Sequence, residues 1–213
     1  MHFSSEEATL GDFRYEREIR AGDIDNKIMH SEQLWTKLYS ILSFHEKIEV
    51  EKARVFAENL EYVHPGLDSK TYLVHPLRVA TLSGLFTTQD KLLTAKVGLL
   101  HNVYEVGVVE PTTIIEQFGQ GVHLALETLK VDRDRQPNLQ YLSDYYDAIA
   151  QLPNGLGIIK VVDKIDNLYT LNLTASSETR LRYLSEIEKF VVPLCEDVSP
   201  QISQILLNII RAS

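Results

Sequence analysis

The chain has 213 residues, 44% of them hydrophobic, and a formal net charge of −9. That length and apolar content suit one cooperative domain with a sizeable core. The acidic balance argues against a general basic surface for extended DNA or RNA, though not against a local basic pocket. A single cysteine, Cys195, excludes an internal disulfide and a cysteine-rich zinc site, and suits a reducing cytosol. The opening residues lack the basic start and apolar run of a signal peptide, and no stretch approaches the roughly 18 apolar residues of a membrane span, so a cytoplasmic protein is expected.

The first 30 residues are polar and charged and read as an N-terminal extension, followed by a single helical domain over residues 31–213. No internal repeat or low-complexity tract is present. Leu34, Trp35, Leu38, Ile41 and Leu42 fall at helical spacing behind Ser31, a suitable N-cap. Ala53, Phe56, Ala57, Leu60 and Val63 mark a second helix that His64-Pro65-Gly66 should stop. His75-Pro76 suits the start of the next, because proline is tolerated in the first helical turn. Residues 90–104 read as a strongly apolar helix.

Pro111 opens a short helix that Gly119 ends, and Val122, Leu126 and Leu129 carry another. Residues 139–152 are predicted helical up to the break at Pro153-Asn154-Gly155. Gly157 to Leu171 reads as a central apolar helix. Ser176 or Ser177 should cap a long helix reaching about Cys195, and Pro200 starts the last one. Strand patterning is scarce, so the expected fold class is all-α. Trp35 and the apolar C-terminal residues suit either the core or a partner surface.

His101 and Glu105 are four residues apart and would share one face of a helix, as would Asp163 and Asn167, with Lys160 close to that second face. With His75 at the start of a third helix, imidazole, carboxylate and amide groups can converge on one cleft. Mn, Fe and Zn accept such mixed ligands, and a water on the metal becomes a nucleophile for phosphorus. Glu105 is then placed to orient or deprotonate that water. The same residues admit a plainer reading, in which His75 starts a helix, His101 is a hydrogen-bonded core histidine, and Asp163 pairs with Lys160 or Lys164.

The ordered segments Tyr72–Ala80, Gly98–Glu105, Thr112–Gly119 and Lys160–Leu168 resemble those of the HD-domain metal-dependent phosphohydrolases. Within that family they look most like the guanosine polyphosphate pyrophosphohydrolase domain of the RelA/SpoT enzymes and their small stand-alone relatives. The resemblance covers about residues 45–196 and implies an HD-domain-like helical bundle. It also implies a single divalent ion, usually manganese in this branch, bound at the positions of His75, His101, Asn102 and Asp163. Asn102 stands where the family has an aspartate, so a bound ion would be weaker or absent. The family's Glu-Asp pair appears as Glu105-Val106, which leaves Glu105 as the catalytic candidate.

Relatives of this kind remove the 3'-pyrophosphate of guanosine tetraphosphate or pentaphosphate. Carried over, the substrate-side residues are Lys70, Asn167 and Arg180; Lys160 joins them as a candidate from its own position, open either to phosphate or to Asp163. Lys70 is the one basic residue in a loop that is richly basic in the family, and the family's later tyrosine falls nearest Leu184, with Tyr183 predicted to face elsewhere. Lys130, Arg133 and Arg135 are further sources of charge. The expected partner is a small phosphorylated molecule, a nucleotide above all, with no membrane. Three functions stay open: a phosphohydrolase, a catalytically degenerate relative that binds a nucleotide or protein, and a purely structural helical domain.

Overall fold

The computed structural model describes residues 13–63, 69–174 and 176–212, without the side chains at several segment ends, Lys70 among them. Helix α1 spans Phe13–Ala21, α2 Ile24–Ile41, α3 Phe44–Glu58, α4 Ser69–Phe86 and α5 Lys91–Leu100. A single turn, α6 (Val103–Val106), leads to α7 (Pro111–Phe118) and α8 (Gln120–Leu129). Then come α9 (Leu139–Ala150), α10 (Gly157–Thr174), α11 (Ser177–Glu186), α12 (Val192–Val198) and α13 (Pro200–Ala212). Among the described residues the sole β pairing is an isolated bridge between Tyr62 and Gly107.

Helix starts follow local chemistry. Asp23, Ser43, Asp90, Asn138 and Ser176 each accept a backbone N–H of the first turn, and Ser43 with Glu46 forms a reciprocal capping box. Pro111 sits in the first turn of α7, and Gly119 ends it at φ 90°, a conformation that glycine adopts without strain. The core is built round α10, whose Val161, Val162, Ile165 and Tyr169 have no exposed surface. Around it pack α1, α4, α5, α12 and α13. Trp35 and the α13 residues Ile202, Leu206 and Ile209 are buried in the chain's own interior.

Helices α4 and α5 approach closely because Gly98 faces Ala80: a Cβ on Gly98 would meet the Ala80 Cα at 2.7 Å. This contact fixes the spacing between the helices that carry His75 and His101.

Four boundaries differ from the sequence reading, each for a local reason. Ser31 is not an N-cap. Asp23 caps the helix a turn and more earlier, and Ser31 is a buried mid-helix residue whose hydroxyl donates to the Ile28 carbonyl. Residue 30, the expected edge of the polar extension, therefore lies inside α2. Pro76 is not in a first turn; α4 begins at Ser69 and runs through it.

The expected 90–104 helix is broken at His101-Asn102. The His101 Nδ1–H donates to the Gly98 carbonyl at 2.7 Å, the acceptor that an unbroken helix offers to the Asn102 amide. The long helix after Ser176 is interrupted by a π-helical turn at Ile187–Val191, and the chain stays helical to Val198 rather than stopping near Cys195.

Candidate metal centre

The cleft between α4, the α5–α6 corner, α10 and α11 encloses about 780 Å³, within the range of small-molecule sites. Seven lysines and arginines line it against four carboxylates, a local reversal of the chain's net charge of −9.

At its inner end α4 supplies His75, the end of α5 supplies His101, and α10 supplies Asp163. One ligand atom from each lies within 4.8 Å of the other two. The Asp163 Oδ1 is 3.3 Å from His75 Nε2 and 4.0 Å from His101 Nε2, and the two rings meet edge to face at 5.2 Å.

The proton positions follow from the partners. A carbonyl oxygen only accepts, so the His101 Nδ1 that bonds Gly98 carries the hydrogen, and Nε2 is left with its lone pair. Burial, reinforced by the positive charges of His75 and Lys160, lowers the His101 pKa to about 3, so the ring is neutral. Its Nε2 is buried and has no hydrogen-bond partner. An unsatisfied buried acceptor is costly, and one aimed at a carboxylate and a second imidazole suits a divalent cation.

His75 is placed differently. Its Nδ1–H donates to Asp166 Oδ2 at 2.7 Å, which turns Nε2 toward Asp163. Burial alone would lower its pKa, but Asp163 and Asp166 outweigh that and raise it to about 9.

Burial would raise the Asp163 pKa; Lys160, then His75, hold it well below the ordinary carboxylate value. Its Oδ2 accepts from Lys160 Nζ at 3.0 Å and its Oδ1 from Asn167 Nδ2 at 2.9 Å. Of the two partners open to Asp163 from sequence, Lys160 is the one observed. Lys164 instead pairs with Glu186 at 2.7 Å. These residues together fit a divalent ion: the lone pair of His101, a steered His75 and an ionised Asp163 converge on one point. Asn102 lines the same cleft at the turn between α5 and α6, beside the Tyr72 hydroxyl, where its amide oxygen is a neutral candidate ligand.

Glu105 also lines the cleft, on the one-turn helix α6 rather than on the helix of His101. Its carboxylate accepts from Arg133 Nη2 at 2.7 Å and from the Val131 amide at 3.3 Å. Glu105 is 6% exposed and Arg133 72%, so a solvent-facing arginine covers the acid. Val106, where the family's second acid is missing, faces the cleft as well.

The remaining substrate-side candidates divide. Lys160 and Asn167 are in the cleft. Lys70 lies in the first turn of α4, with its side chain outside the described residues. On α11 the residues that line the cleft are Thr179, Arg182, Tyr183, Ser185 and Glu186, while Arg180 does not line it. Tyr183 thus faces the cleft, contrary to the expectation from its offset.

Sequence reasoning gave no role to Asp166, Arg78 or Arg20, which form the layer behind His75. Asp166 Oδ1 accepts from Arg20 at 2.7 and 3.0 Å and from Arg78 Nε at 2.8 Å, and its Oδ2 from Arg78 Nη2 at 2.8 Å. A signal existed for Asp166, an acid three residues after Asp163 in an apolar helix. Burial of such an acid demands partners. Arg20 carried no comparable signal, being 146 residues away from its partner.

No family model matches the sequence, and no curated protein sequence matches it. The solved structures do include likenesses. One is of a metazoan ortholog of SpoT, described as hydrolysing ppGpp and playing a role in starvation responses. It superposes with a TM-score of 0.60 at 19% sequence identity, covering 80% of this chain and 96% of that one. At that identity the likeness is one of fold, and it agrees with the resemblance read from the ordered histidine and aspartate segments. The chain has the all-helical HD-domain fold of that SpoT-type hydrolase.

Proposed function

We propose that the protein is a metal-dependent phosphohydrolase acting on a nucleotide or a related phosphate ester, with guanosine 3'-pyrophosphate alarmones the first substrates to test. The observation that carries this reading is the buried, unpartnered His101 Nε2 facing His75 and Asp163. Its support is the cationic cleft around that point and the fold shared with a protein described as hydrolysing ppGpp.

His75, His101 and Asp163 would hold the ion, with Asn102 offering an amide oxygen. Manganese is the first metal to try. When bound, the ion supplies Lewis-acid activation of water and of the phosphate. Lys160 fixes the Asp163 carboxylate in its ionised form. Arg182, exposed at the cleft rim, is placed to turn toward phosphate charge, and Arg133, also exposed, would do so on leaving Glu105. Glu105 is the residue to take a proton from the attacking water, and Arg133 must release one of its oxygens for that.

The test is Mn-dependent release of phosphate or pyrophosphate across a nucleotide panel that includes guanosine tetraphosphate, with Glu105→Gln as the inactive control. Metal-free protein with no turnover on any member would overturn it. Three observations favour a second reading, a catalytically degenerate protein that binds a nucleotide or a protein partner without hydrolysis. They are the neutral Asn102, the apolar Val106, and the capture of Glu105 by Arg133. Nucleotide binding without turnover separates the two.

A further inference from the structure

Helix α1 lies outside residues 45–196, the span that carries the family resemblance, yet one of its side chains enters the site. Arg20 is 1% exposed and Asp166 2%. The guanidinium sends Nε and Nη2 to the same carboxylate oxygen at 3.0 and 2.7 Å, and it lies over the Tyr169 ring at 4.3 Å. Asp166 in turn accepts the His75 Nδ1–H at 2.7 Å. A carboxylate only accepts, so this bond fixes which imidazole nitrogen is left to face Asp163. Arg78 alone would leave Asp166 held from one side, by a neighbour on the same helix as His75. Arg20 brings the second grip from a separate helix.

We propose that α1 is a working part of the metal centre: Arg20 is a positioning residue that holds Asp166, and through it the His75 imidazole, in the orientation needed to ligate a divalent cation. This rests on His75 being a metal ligand. Burying two guanidiniums with one carboxylate is an expensive way to stabilise a helix contact, since apolar residues of similar volume commonly do as well or better. What such a cluster supplies that apolar packing cannot is a directed hydrogen bond to a ligating histidine. Partners of that kind typically change metal affinity by about 10–100-fold.

The experiment uses the full chain and two substitutions, Arg20→Lys and Arg20→Gln, the first keeping the charge but losing the planar fork. Two readouts are taken: Mn affinity by titration calorimetry, and the hydrogen-bonded His75 Nδ1 proton by NMR of metal-free protein. Far-UV circular dichroism checks the fold. The expected result is helical content kept, Mn affinity weakened by about tenfold or more in Arg20→Gln, and the His75 proton shifted or broadened by exchange in both variants. An unchanged affinity together with an unchanged proton signal overturns the proposal. So does loss of the fold in both variants, which would make the clamp structural only. If the wild type binds no metal, the hydrolase reading fails separately, and the His75 proton signal alone decides whether Arg20 positions that ring.

Discussion

The inner end of the cleft and its rim are built by different means. At the inner end His75, His101, Asp163 and Asp166 come from helices α4, α5 and α10, and each is held by hydrogen bonds to buried partners. At the rim Glu105 sits on a single helical turn, Arg133 on a loop, and Arg182 on the open face of α11, with both arginines exposed. Rigid elements locate groups more closely than loops do. The inner end is therefore prearranged for one geometry, whereas the rim can move to meet a ligand. Substitutions at the inner end should be costly to fold and metal alike; those at the rim should change ligand affinity and leave the fold alone.

The largest effect is expected from Asp163→Ala. It strips a partner from Lys160, whose ammonium is buried and bonds that carboxylate at 3.0 Å. Breaking a buried pair by removing one member costs about 3–5 kcal/mol, which for a chain of this size lowers Tm by on the order of ten degrees. Thermal melts should show this, together with loss of any Mn-induced stabilisation. A Tm within a degree or two of wild type would mean that the inner end is not prearranged as described.

Asn102→Asp reverses the logic, because it adds a charge where the family has one. Without metal, a second carboxylate near Asp163 repels the first and should lower Tm modestly. With Mn the extra anionic ligand should tighten binding by about tenfold or more, seen as a larger Mn-dependent rise in Tm than the wild type shows. If Mn raises the melting temperature of both proteins equally, Asn102 lies outside the coordination sphere.

How much of this the sequence disclosed depends on how local the interaction is. Helix type and order followed from apolar spacing and caps, so α7 to α10 fall close to expectation. The break at His101-Asn102 did not, since it depends on a side chain taking its own helix's carbonyl, a competition invisible to periodicity. His75, His101 and Asp163 could be proposed from ordered segments, each in an apolar helix. The register of α11 could not: a one- or two-residue offset turns a helical residue by about 100–200°, which is why Arg182 and Tyr183 line the cleft and Arg180 does not. Arg20 was beyond reach, because nothing local marks a residue that meets a carboxylate 146 positions away.

The two arginines of α11, Arg182 at the rim and Arg180 outside the cleft lining, offer a paired comparison. Arg182→Ala should weaken binding of a phosphorylated nucleotide several-fold, by about 1 kcal/mol, as for an exposed charged contact. Arg180→Ala should change it less. Both should melt within a degree or two of wild type. Isothermal titration with a non-hydrolysable nucleotide measures the difference, and equal losses would mean that the α11 face turned to the cleft does not select the ligand.

The smallest effect concerns charge behind the inner end, where two guanidiniums share the Asp166 carboxylate. The buried His30 on α2 lies within reach of that cluster. Burial first, then the charges of Arg20 and Arg78, lower its pKa to about 4 from an ordinary 6.5. The unfolded chain therefore binds a proton at this residue before the folded chain does. Between about pH 6.5 and pH 4 the unfolded state holds more protons, so His30 withdraws stability progressively as pH falls through that window, and has no such effect above it. His30→Gln removes the titration. The Tm difference between variant and wild type should be constant above pH 7 and shift in the variant's favour by a few degrees as pH drops to 4.5. A difference that stays the same at both pH values would mean that neither burial nor the nearby guanidiniums move the His30 pKa on folding.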